Sequence, residues 1–435
     1  MNSATMWRIE PSGPLVGDVE ISGSKNAVTK LMVASLLAEG PSTVDNAPRI
    51  GDVDITADML RSVGAGVSVD GSTVIVDPAA GLEGKVPVTY SGLNRVPILL
   101  VGPLLHRVGE VSVPVVGGDR IGTRPINFHV EALRALGAEI RVTDEGLEAK
   151  AARLHGARVR LPFPSVGATE TVLLTASLAE GRTVLENAAI EPEVVELALF
   201  LQRMGARIEL RPDRQFVIEG VSSLRGAHQR LGGDRIEAFS YLAAGLATRG
   251  SVRIIGCAQD RLVTAITTLQ RMGARFEITD ETIAASADGL LGPAAVSTRP
   301  HPGFMTDWQA PLVVLFTQVA GMSVLHETVF EDRLSYLAAL RAMGAQIELF
   351  DQCLVGEACR FHQGEWLHSA VVRGGCPMEG TEMDMPDIRG AFAYVIAAAV
   401  GTSPSVVHGV RYLERGYDRV FEKFSSLGLR ISEIH

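Results

Sequence analysis

Cysteine, aromatic residues and long apolar runs are all scarce in this chain of 435 residues. The cysteines, Cys257, Cys353, Cys359 and Cys376, are too few for a disulfide framework, and none forms the CxxC pair of common zinc sites. The longest apolar run, 391–400, stops after about ten residues, well short of the ~18 that a membrane span requires. We therefore expect reduced thiols and no membrane partner.

Positive charge is also in deficit. Lys and Arg number 40 against 50 Asp and Glu, which gives a net charge of -10 and a pI of about 5.6. Without an overall basic field, nucleic acid and anionic lipid are not expected as partners. Residues 1–13 contain no apolar run, so no secretory signal is expected and the predicted location is cytoplasmic.

Glycine, by contrast, is abundant at 45 residues, and it marks an internal repeat. Two glycine markers each recur six times at a spacing of roughly 70 residues, which is typical of repeated supersecondary units. The first marker follows an amphipathic helix and comprises Gly64, Gly137, Gly205, Gly273, Gly344 and Gly428. The second ends an apolar helix and comprises Gly40, Gly109, Gly181, Gly250, Gly321 and Gly401, each suited to a left-handed helix cap.

Each repeat is interpreted as a βαβαββ unit whose first helix is apolar nearly all round and therefore buried. Six such units divide into two sets of three. We place one domain at 24–231 and the other at 1–23 plus 232–435, with a hinge at Leu231-Gly232-Gly233 and a strand in GDVEISG that crosses between the halves. A substrate cleft is expected between them.

Polar residues stand immediately before each buried helix. Ser165 and Asp307 are ordinary helix caps in type, but Lys25, Arg95 and Arg389 are cations at the positive end of a helix dipole. Cations in that position favour a bound anion, because helix N-termini already attract negative charge. The sequence therefore predicts an anionic ligand.

A glycine-rich loop at 115–125 contains Asp119 and Arg124, and it ends in Pro125, which suits a first helical turn. Arg415 is likewise predicted just before a helix. HExxH, GxSxG and complete phosphate-loop motifs are absent, and His326-Glu327 lacks a second ligand in sequence. No metal site is predicted.

Several separated motifs then resemble those of the enolpyruvyl transferase family. They are SGSKNA, GGDRIGTRP, PSVGAT, HPGFMTDWQ, ETVFEDR, DIRGAFAYV and ERGYDR, in the family's order and over essentially the whole chain. The resemblance implies an α/β fold, a two-domain inside-out α/β barrel of six βαβαββ units. It also implies that the enolpyruvyl group of phosphoenolpyruvate moves to the 3-hydroxyl of UDP-N-acetylglucosamine in peptidoglycan precursor synthesis, with release of phosphate and no cofactor.

The same resemblance implies catalytic roles. Lys25, Arg124 and Arg415 match the family's phosphoenolpyruvate clamp, with Arg389 nearby. Asp307 matches the carboxylate beside the attacking hydroxyl and is the candidate base. Asp119 stands where many members carry a cysteine that acts as the acid and that fosfomycin alkylates. Asp119 is therefore the candidate acid, and the protein is expected to be a fosfomycin-resistant variant of the family with Asp in place of that cysteine.

Substrate-binding roles follow in the same way. Asn26 matches a contact to the sugar side of the intermediate, and Arg95, Val329 and Arg333 match further substrate contacts. Two strips match the binding site for uridine diphosphate; they are Arg124, Pro125, Ile126, Asn127 and Phe128, and Phe163, Pro164, Ser165 and Val166. The partners implied are small-molecule substrates of a monomer or weak homo-oligomer.

At three positions this chain differs from the family's usual residues, and these differences leave the identity of the acceptor substrate open. Phe163 replaces a lysine that touches the diphosphate in many members, Gly51 replaces a frequent cation, and Asn127 replaces an aspartate that reads uracil. One alternative is therefore an enolpyruvyl transferase acting on another nucleotide or nucleoside phosphate, such as UMP in a nucleoside antibiotic pathway. Another is a non-catalytic paralogue that binds nucleotide sugar.

Overall fold

A computed structural model describes residues 6–78, 81–119, 121–287, 289–356 and 358–434. Its described residues form two compact units. Unit 1 takes in the chain segments 1–22 and 232–435, and unit 2 takes in 23–119 and 124–231. Residues 121–123 group with unit 1 although they lie within the chain segment of unit 2. The substrate cleft between the halves stays a prediction.

Short strands and helices alternate along the described chain. The strands are β1 (Met6–Ile9), β2 (Val16–Glu20), β3 (Ser42–Asp45), β4 (Gly66–Asp70), β5 (Thr73–Asp77), β6 (Glu110–Pro114), β7 (Glu139–Thr143), β8 (Gly146–Lys150), β9 (Arg158–Arg160), β10 (Arg182–Glu186), β11 (Arg207–Arg211), β12 (Gln215–Glu219), β13 (His228–Arg230), β14 (Ser251–Ile255), β15 (Arg275–Ile278), β16 (Thr282–Ser286), β17 (Ala295–Ser297), β18 (Gly321–His326), β19 (Gln346–Phe350), β20 (Ser369–Gly374), β21 (Glu382–Asp384), β22 (Ser405–His408) and β23 (Ile431–Ile434).

The α-helices are α1 (Lys25–Ala34), α2 (Gly51–Ser62), α3 (Val96–Val108), α4 (Asn127–Ala135), α5 (Val166–Ala176), α6 (Pro192–Met204), α7 (Arg235–Ala247), α8 (Val263–Arg271), α9 (Gln309–Gln318), α10 (Leu337–Ala342), α11 (Ile388–Val400), α12 (Arg411–Glu414) and α13 (Val420–Ser426). Short 3-10 helices lie at Ser35–Leu37, Val88–Tyr90, Gln259–Arg261 and Thr306–Trp308. No helix in the described ranges has both the length and the apolarity to cross a bilayer.

The sheets repeat the predicted βαβαββ unit, so the predicted α/β fold class is confirmed. Unit 2 contains sheets ordered β13-β3-β5-β4, β6-β8-β7 and β11-β12-β10-β9, and unit 1 contains β15-β16-β14-β2, β17-β18-β20-β19 and β21-β22-β1-β23. In β11-β12-β10-β9, for example, β9 and β10 are parallel and the remaining pairs are antiparallel. The first two strands of the chain belong to unit 1. There β2 pairs with β14, and β1 lies between β22 and β23 and pairs with both.

The apolar helices form the centre of each unit, with the sheets outside them. In unit 2, α3 packs against α1 and α5, and in unit 1 α7, α9 and α11 pack on one another. Gly102 lets α3 approach α5 closely, because a Cβ at that position would lie 2.1 Å from Thr175 Oγ1. In unit 1, Tyr241, Phe392 and Phe424 fill the space around α7 and α11 with ring centroids 5.1 Å apart.

Helix ends agree only in part with the predicted glycine caps. Gly109 ends α3 with φ 77, in the left-handed region where glycine has no Cβ penalty. Gly401 instead has φ -62 at the end of α11, and α1 stops at Ala34 and passes into a 3-10 helix well before Gly40. A glycine after an apolar run therefore marked the repeat correctly but did not fix the geometry of every helix end.

Candidate active site

Three helix N-termini meet inside unit 1. Asp234 caps α7 and Asp387 caps α11, each accepting hydrogen bonds from two main-chain N–H groups of the first turn. The 3-10 helix Thr306–Trp308 leads into α9, and Trp308 Nε1 donates to the carbonyl of Arg235 at 3.1 Å. The positive dipole ends of three helices therefore converge at one place, an arrangement that favours anions.

Asp307 lies at this convergence between two cations. Its Oδ1 accepts a hydrogen bond from Arg333 Nη2 at 2.9 Å, and its Oδ2 lies 3.6 Å from Arg389 Nε. Arg333 also reaches Asp387 Oδ1 at 3.3 Å, so it links two helix N-termini. The Arg333 side chain is only 3% exposed, whereas that of Asp307 is 17% exposed. Of the two, Asp307 is the group that a ligand can reach.

Arg389 remains a fixed positive charge. Burial alone would lower its pKa, but Tyr417, Asp307 and Asp234 raise the pKa above the ordinary arginine value. Its guanidinium lies 5.1 Å from the centre of the Tyr417 ring. Burial in turn raises the pKa of Tyr417 to about 12, although Arg389 acts against that rise. The pair therefore supplies a cation and a protonated phenol at neutral pH.

Arg415 lies just before Tyr417 in sequence, but its local structure differs from the prediction. It is the C-cap of α12 and is half-buried, and the next helix, α13, begins only at Val420. The expectation that Arg415 stands directly before a helix was wrong, because the short helix α12 ends at Glu414 and α13 begins only at Val420.

Glu327 organises the loop that contains Val329, and sequence reasoning gave it no role. It is fully buried, and its carboxylate accepts hydrogen bonds from Thr306 Oγ1 at 2.8 Å, Val329 N at 2.5 Å and Phe330 N at 2.9 Å. Burial raises its pKa even though these donors oppose the rise. The only sequence signal was its place in ETVFEDR, beside the matched Val329.

The cationic residues of unit 2 lie at helix starts as predicted. Lys25 opens α1, and its Nζ is 2.9 Å from Asp52 Oδ2. The adjacent Ser24 Oγ is buried without a hydrogen-bond partner among the described atoms, although Ser24 occupies the N-cap. Asn26 follows Lys25 and is half-buried. A buried hydroxyl beside a lysine at a helix N-terminus suits an anion or a hydroxylated ligand.

Arg95 and Arg124 are held close together. Arg95 is the N-cap residue of α3, and its Nη1 donates to the main-chain carbonyl of Arg124 at 3.0 Å. Burial, followed by the charge of Arg124, lowers the pKa of Arg95 to about 10, so Arg95 remains a cation at neutral pH. Arg124 has φ 43, an uncommon conformation for a side-chain-bearing residue. A bound anion would relieve the repulsion between the two guanidinium groups.

Asp119 lies half-buried in the glycine-rich loop. Arg124 Nη1 donates to its main-chain carbonyl at 3.2 Å. The neighbouring Arg120 lies outside the described residues. Further along, Thr123 donates from both its N–H and its hydroxyl to Glu331 Oε1, each at 2.8 Å. These bonds lower the pKa of Glu331 although burial opposes them.

The two strips matched to uridine diphosphate binding lead into neighbouring helices. Ser165 caps α5 by accepting from Ala168 N at 3.4 Å, and Ile126 stands at the N-cap of α4. Helices α4 and α5 pack together, and His129 Nδ1 contacts Thr171 Oγ1 at 2.7 Å between them. Phe163, Pro164 and Val166 are half-buried, Ile126 and Phe128 pack against the core, and Asn127 and Pro125 are exposed. The structure thus brings the two strips together.

Pro125 was predicted in the first helical turn, but it lies before the helix. It precedes the N-cap Ile126, and α4 begins at Asn127. Proline fits before a helix as well as at its first position, since in both places its missing N–H leaves no helical bond unmade.

Comparison with known proteins gives consistent results. The profile of the EPSP synthase (3-phosphoshikimate 1-carboxyvinyltransferase) family matches residues 9–424. A UDP-N-acetylglucosamine 1-carboxyvinyltransferase of Chlamydia pneumoniae is 43% identical over 426 residues, which cover 96% of this chain and 93% of the relative. The enzyme of the same name from Azorhizobium caulinodans is 38% identical over 439 residues, which cover 98% of this chain and 99% of the relative.

Solved structures show the same fold. The enolpyruvyl transferase NikO from Streptomyces tendae has a TM-score of 0.87 at 24% identity, with 99% of each chain covered. An EPSP synthase from Acinetobacter baumannii has a TM-score of 0.72 at 19% identity, with 99% of this chain and 100% of that chain covered. At these identities the likeness extends to the fold alone.

Proposed function

This chain belongs to the EPSP synthase family of enolpyruvyl transferases, and on that premise we propose that it transfers the enolpyruvyl group of phosphoenolpyruvate to the 3-hydroxyl of UDP-N-acetylglucosamine, with release of phosphate. The resemblance seen in the sequence motifs is thereby confirmed at the level of the family. One observation carries the choice of acceptor: relatives at 37–43% identity over nearly the whole chain bear the name of that reaction.

The reaction sets clear chemical demands. The acceptor oxygen forms a bond to C2 of phosphoenolpyruvate while its proton leaves to a base and an acid protonates C3. The resulting intermediate then loses a proton from C3 and breaks its C2–O bond to phosphate. Cations must hold the phosphate and carboxylate groups throughout, and water must be excluded while C2 carries developing positive charge.

In unit 1, Asp307 is our candidate base. Its position is fixed by Arg333 and Arg389, and it is the most exposed of the three charged groups. We assign Arg333 a positioning role toward Asp307 in addition to the predicted substrate contact, because its side chain is 3% exposed and bonded to carboxylates on two elements. Arg389 and Arg415 are proposed to bind the anionic groups, with Val329 as a further substrate contact.

In unit 2, Lys25 and Arg124 are proposed to complete the phosphoenolpyruvate clamp, with Arg95 beside Arg124. Asn26 is proposed to contact the sugar, and Asp119 to protonate C3. The repulsion between Arg95 and Arg124 supports this assignment, because a dianionic ligand would be bound most strongly where cations are already held together.

The uridine diphosphate group is proposed to bind the strips Arg124–Phe128 and Phe163–Val166, which the contact between α4 and α5 brings together. Asn127 at the start of α4 is exposed, so its amide can donate to and accept from a base. Because Phe163 supplies no positive charge to a diphosphate, UMP stays in the test as a competing acceptor.

The test is phosphate release from phosphoenolpyruvate with a panel of acceptors: UDP-N-acetylglucosamine, UDP-glucose, UMP and no acceptor. We expect release only with UDP-N-acetylglucosamine, together with a product whose mass has increased by one enolpyruvyl group. Turnover with UMP but not with the nucleotide sugar would show that the acceptor is a nucleotide other than UDP-N-acetylglucosamine. Binding of the nucleotide sugar without any turnover would favour a non-catalytic paralogue.

The proposal includes the setting of the reaction. Small molecules are the expected partners, and we expect a monomer or weak homo-oligomer that acts in the cytoplasm. Sedimentation at several protein concentrations and fractionation of the producing cells test these two points directly.

A further inference from the structure

Four side chains of metal-ligating types lie together in unit 1, and none of them has a role in the proposed reaction. His326 ends β18, Cys353 and Cys359 lie between β19 and β20, and His368 stands immediately before β20. One ligand atom from each residue lies within 4.8 Å of all the others. The sequence alone offered no second ligand for His326. Its partners are far apart in sequence, and pairing of β18 with β20 brings His326 opposite Ser369 and so beside His368.

Hydrogen bonding leaves the same nitrogen, Nε2, of both imidazoles available to a metal. His326 Nδ1 contacts the carbonyl of Val355 at 2.6 Å, and His368 Nδ1 contacts the carbonyl of Trp366 at 2.7 Å. A carbonyl can only accept, so each Nδ1 carries the hydrogen and each Nε2 presents its lone pair. Both side chains are fully buried, and within the described residues His326 Nε2 has no hydrogen-bond partner. This arrangement is typical of histidines that bind a metal through Nε2.

The spacing of the ligand atoms fits a tetrahedral ion. Cys353 Sγ lies 3.6 Å from Cys359 Sγ and 3.5 Å from His368 Nε2. A tetrahedral zinc ion, with Zn–S near 2.3 Å and Zn–N near 2.0 Å, requires about 3.8 Å between two sulfurs and about 3.5 Å between sulfur and nitrogen.

The main chain is arranged to support thiolates. Cys359 N lies 3.4 Å from Cys353 Sγ, and Phe361 N lies 3.3 Å from Cys359 Sγ. Such N–H groups can donate to the sulfur of a metal-bound thiolate and orient it.

We propose that His326, Cys353, Cys359 and His368 bind one structural zinc ion. Two thiolates and two imidazole nitrogens in a tetrahedron favour zinc among common divalent ions, and four protein ligands leave no open position for substrate. Binding releases the two thiol protons to solvent, and the charges of two thiolates and Zn²⁺ then cancel. A neutral assembly is what a largely buried site requires.

The position of the zinc site gives it a structural consequence. Arg360, directly after Cys359, donates to the carbonyl of Val329 and lies 4.0 Å from Glu331. His326 is followed by Glu327, whose carboxylate shapes the turn at Val329 and Phe330. The ion would therefore fasten the segment 353–368 to the end of β18 and hold Arg360 against the loop that contains Val329.

Metal content tests the proposal without any substrate, so its failure is distinct from a failure of the proposed reaction. The full-length protein, purified without chelator, is analysed by elemental mass spectrometry. We expect about one zinc ion per chain. After removal of the metal, titration with Co²⁺ should give the thiolate-to-cobalt charge-transfer absorption and strong visible bands of a tetrahedral site. This wild-type spectrum is decisive even if cysteine variants fold poorly.

Variants then assign the ligands. Cys353→Ser and Cys359→Ser should lose zinc, whereas Cys376→Ser, a half-buried cysteine outside the cluster, should retain it. Removal of zinc should also speed tryptic cleavage after Arg360 by roughly tenfold or more, because the segment loses its anchor. The proposal is overturned if the protein binds neither zinc nor cobalt, if Cys353 and Cys359 are joined as a disulfide, or if their variants keep as much zinc as Cys376→Ser.

Discussion

The carboxylate of Asp307 accepts a hydrogen bond from Arg333 at 2.9 Å, and Arg333 is itself almost completely buried. The carboxylate is therefore held in one orientation by a side chain that has little freedom to move. Arg333 in turn is anchored by Asp387 at the N-cap of α11. A base fixed in this way loses little conformational entropy when an acceptor hydroxyl arrives, which is the arrangement that general-base catalysis favours.

Replacement of the base tests this arrangement. Asp307→Asn keeps the shape of the side chain but removes its ability to take the hydroxyl proton. We expect kcat for phosphate release to fall by about 10²–10⁴-fold, the usual contribution of a positioned base, while nucleotide-sugar binding measured by calorimetry persists. Asp260→Asn, at an exposed carboxylate, is the matched control and should keep wild-type turnover. Wild-type kcat in Asp307→Asn would remove Asp307 from the mechanism.

The sequence predicted the repeat, the buried helices and the cations at helix starts because all three depend on local patterns. The apolar pattern of α11 and its Asp387 cap, for instance, can be read directly from DIRGAFAYV. The sequence could not predict that Arg333 pairs with Asp307 and Asp387, because no local rule specifies contacts between residues so far apart in the chain. The sequence did not predict the cluster of His326 with Cys353 for the same reason, since strand pairing rather than a short sequence motif brings the two together.

Glu331 is predicted to hold the glycine-rich loop through Thr123. Its Oε1 accepts two hydrogen bonds at 2.8 Å, and bonds to a charged acceptor are worth roughly 1.5–3 kcal/mol each. In Glu331→Ala, cleavage by proteinase K within the loop 115–125 should therefore be at least about tenfold faster, because loop opening becomes easier. The control is Glu348→Ala, at an exposed position in β19. Equal cleavage rates in both variants and the wild type would show that the contact does not order the loop.

His129 should make the stability of the protein depend on pH. Burial, then the charge of Arg95, lowers its pKa to about 3, whereas an unfolded histidine titrates near ~6.5. The folded state therefore binds the proton less well, so stability is complete above pH ~6.5 and is lost as the pH falls toward 3. Between pH 7 and pH 5 this single group should lower the free energy of unfolding by about 2 kcal/mol.

Urea denaturation of wild type and His129→Gln at both pH values measures this effect. Glutamine can still hydrogen-bond to Thr171 but does not titrate, so the wild type should lose about 2 kcal/mol more than the variant on acidification. His155→Gln, at an exposed histidine, should keep the wild-type dependence. Identical pH dependence in wild type and His129→Gln would show that His129 takes up no proton on unfolding.

Asp119 is predicted to act as the acid that protonates C3 of phosphoenolpyruvate. An isolated aspartate titrates near ~3.9, so it holds a proton at neutral pH only where water is excluded and an anionic substrate lies beside it. Asp119→Asn should accordingly lose about 10²–10⁴-fold in kcat and still bind the nucleotide sugar. Asp144→Asn, at an exposed turn, is the control. Full turnover in Asp119→Asn would exclude the residue as the acid.

The identity of the residue at 119 also predicts the response to fosfomycin. A carboxylate is a far poorer nucleophile toward an epoxide than a thiolate, so the wild-type protein should not be alkylated. Asp119→Cys should remain active and should gain one covalent adduct in the intact mass, because a thiolate in the same loop position can open the epoxide. Peptide mapping must place that adduct on residue 119. An adduct on the unmodified protein, on Cys353 or any other cysteine, would mean that resistance does not follow from Asp119.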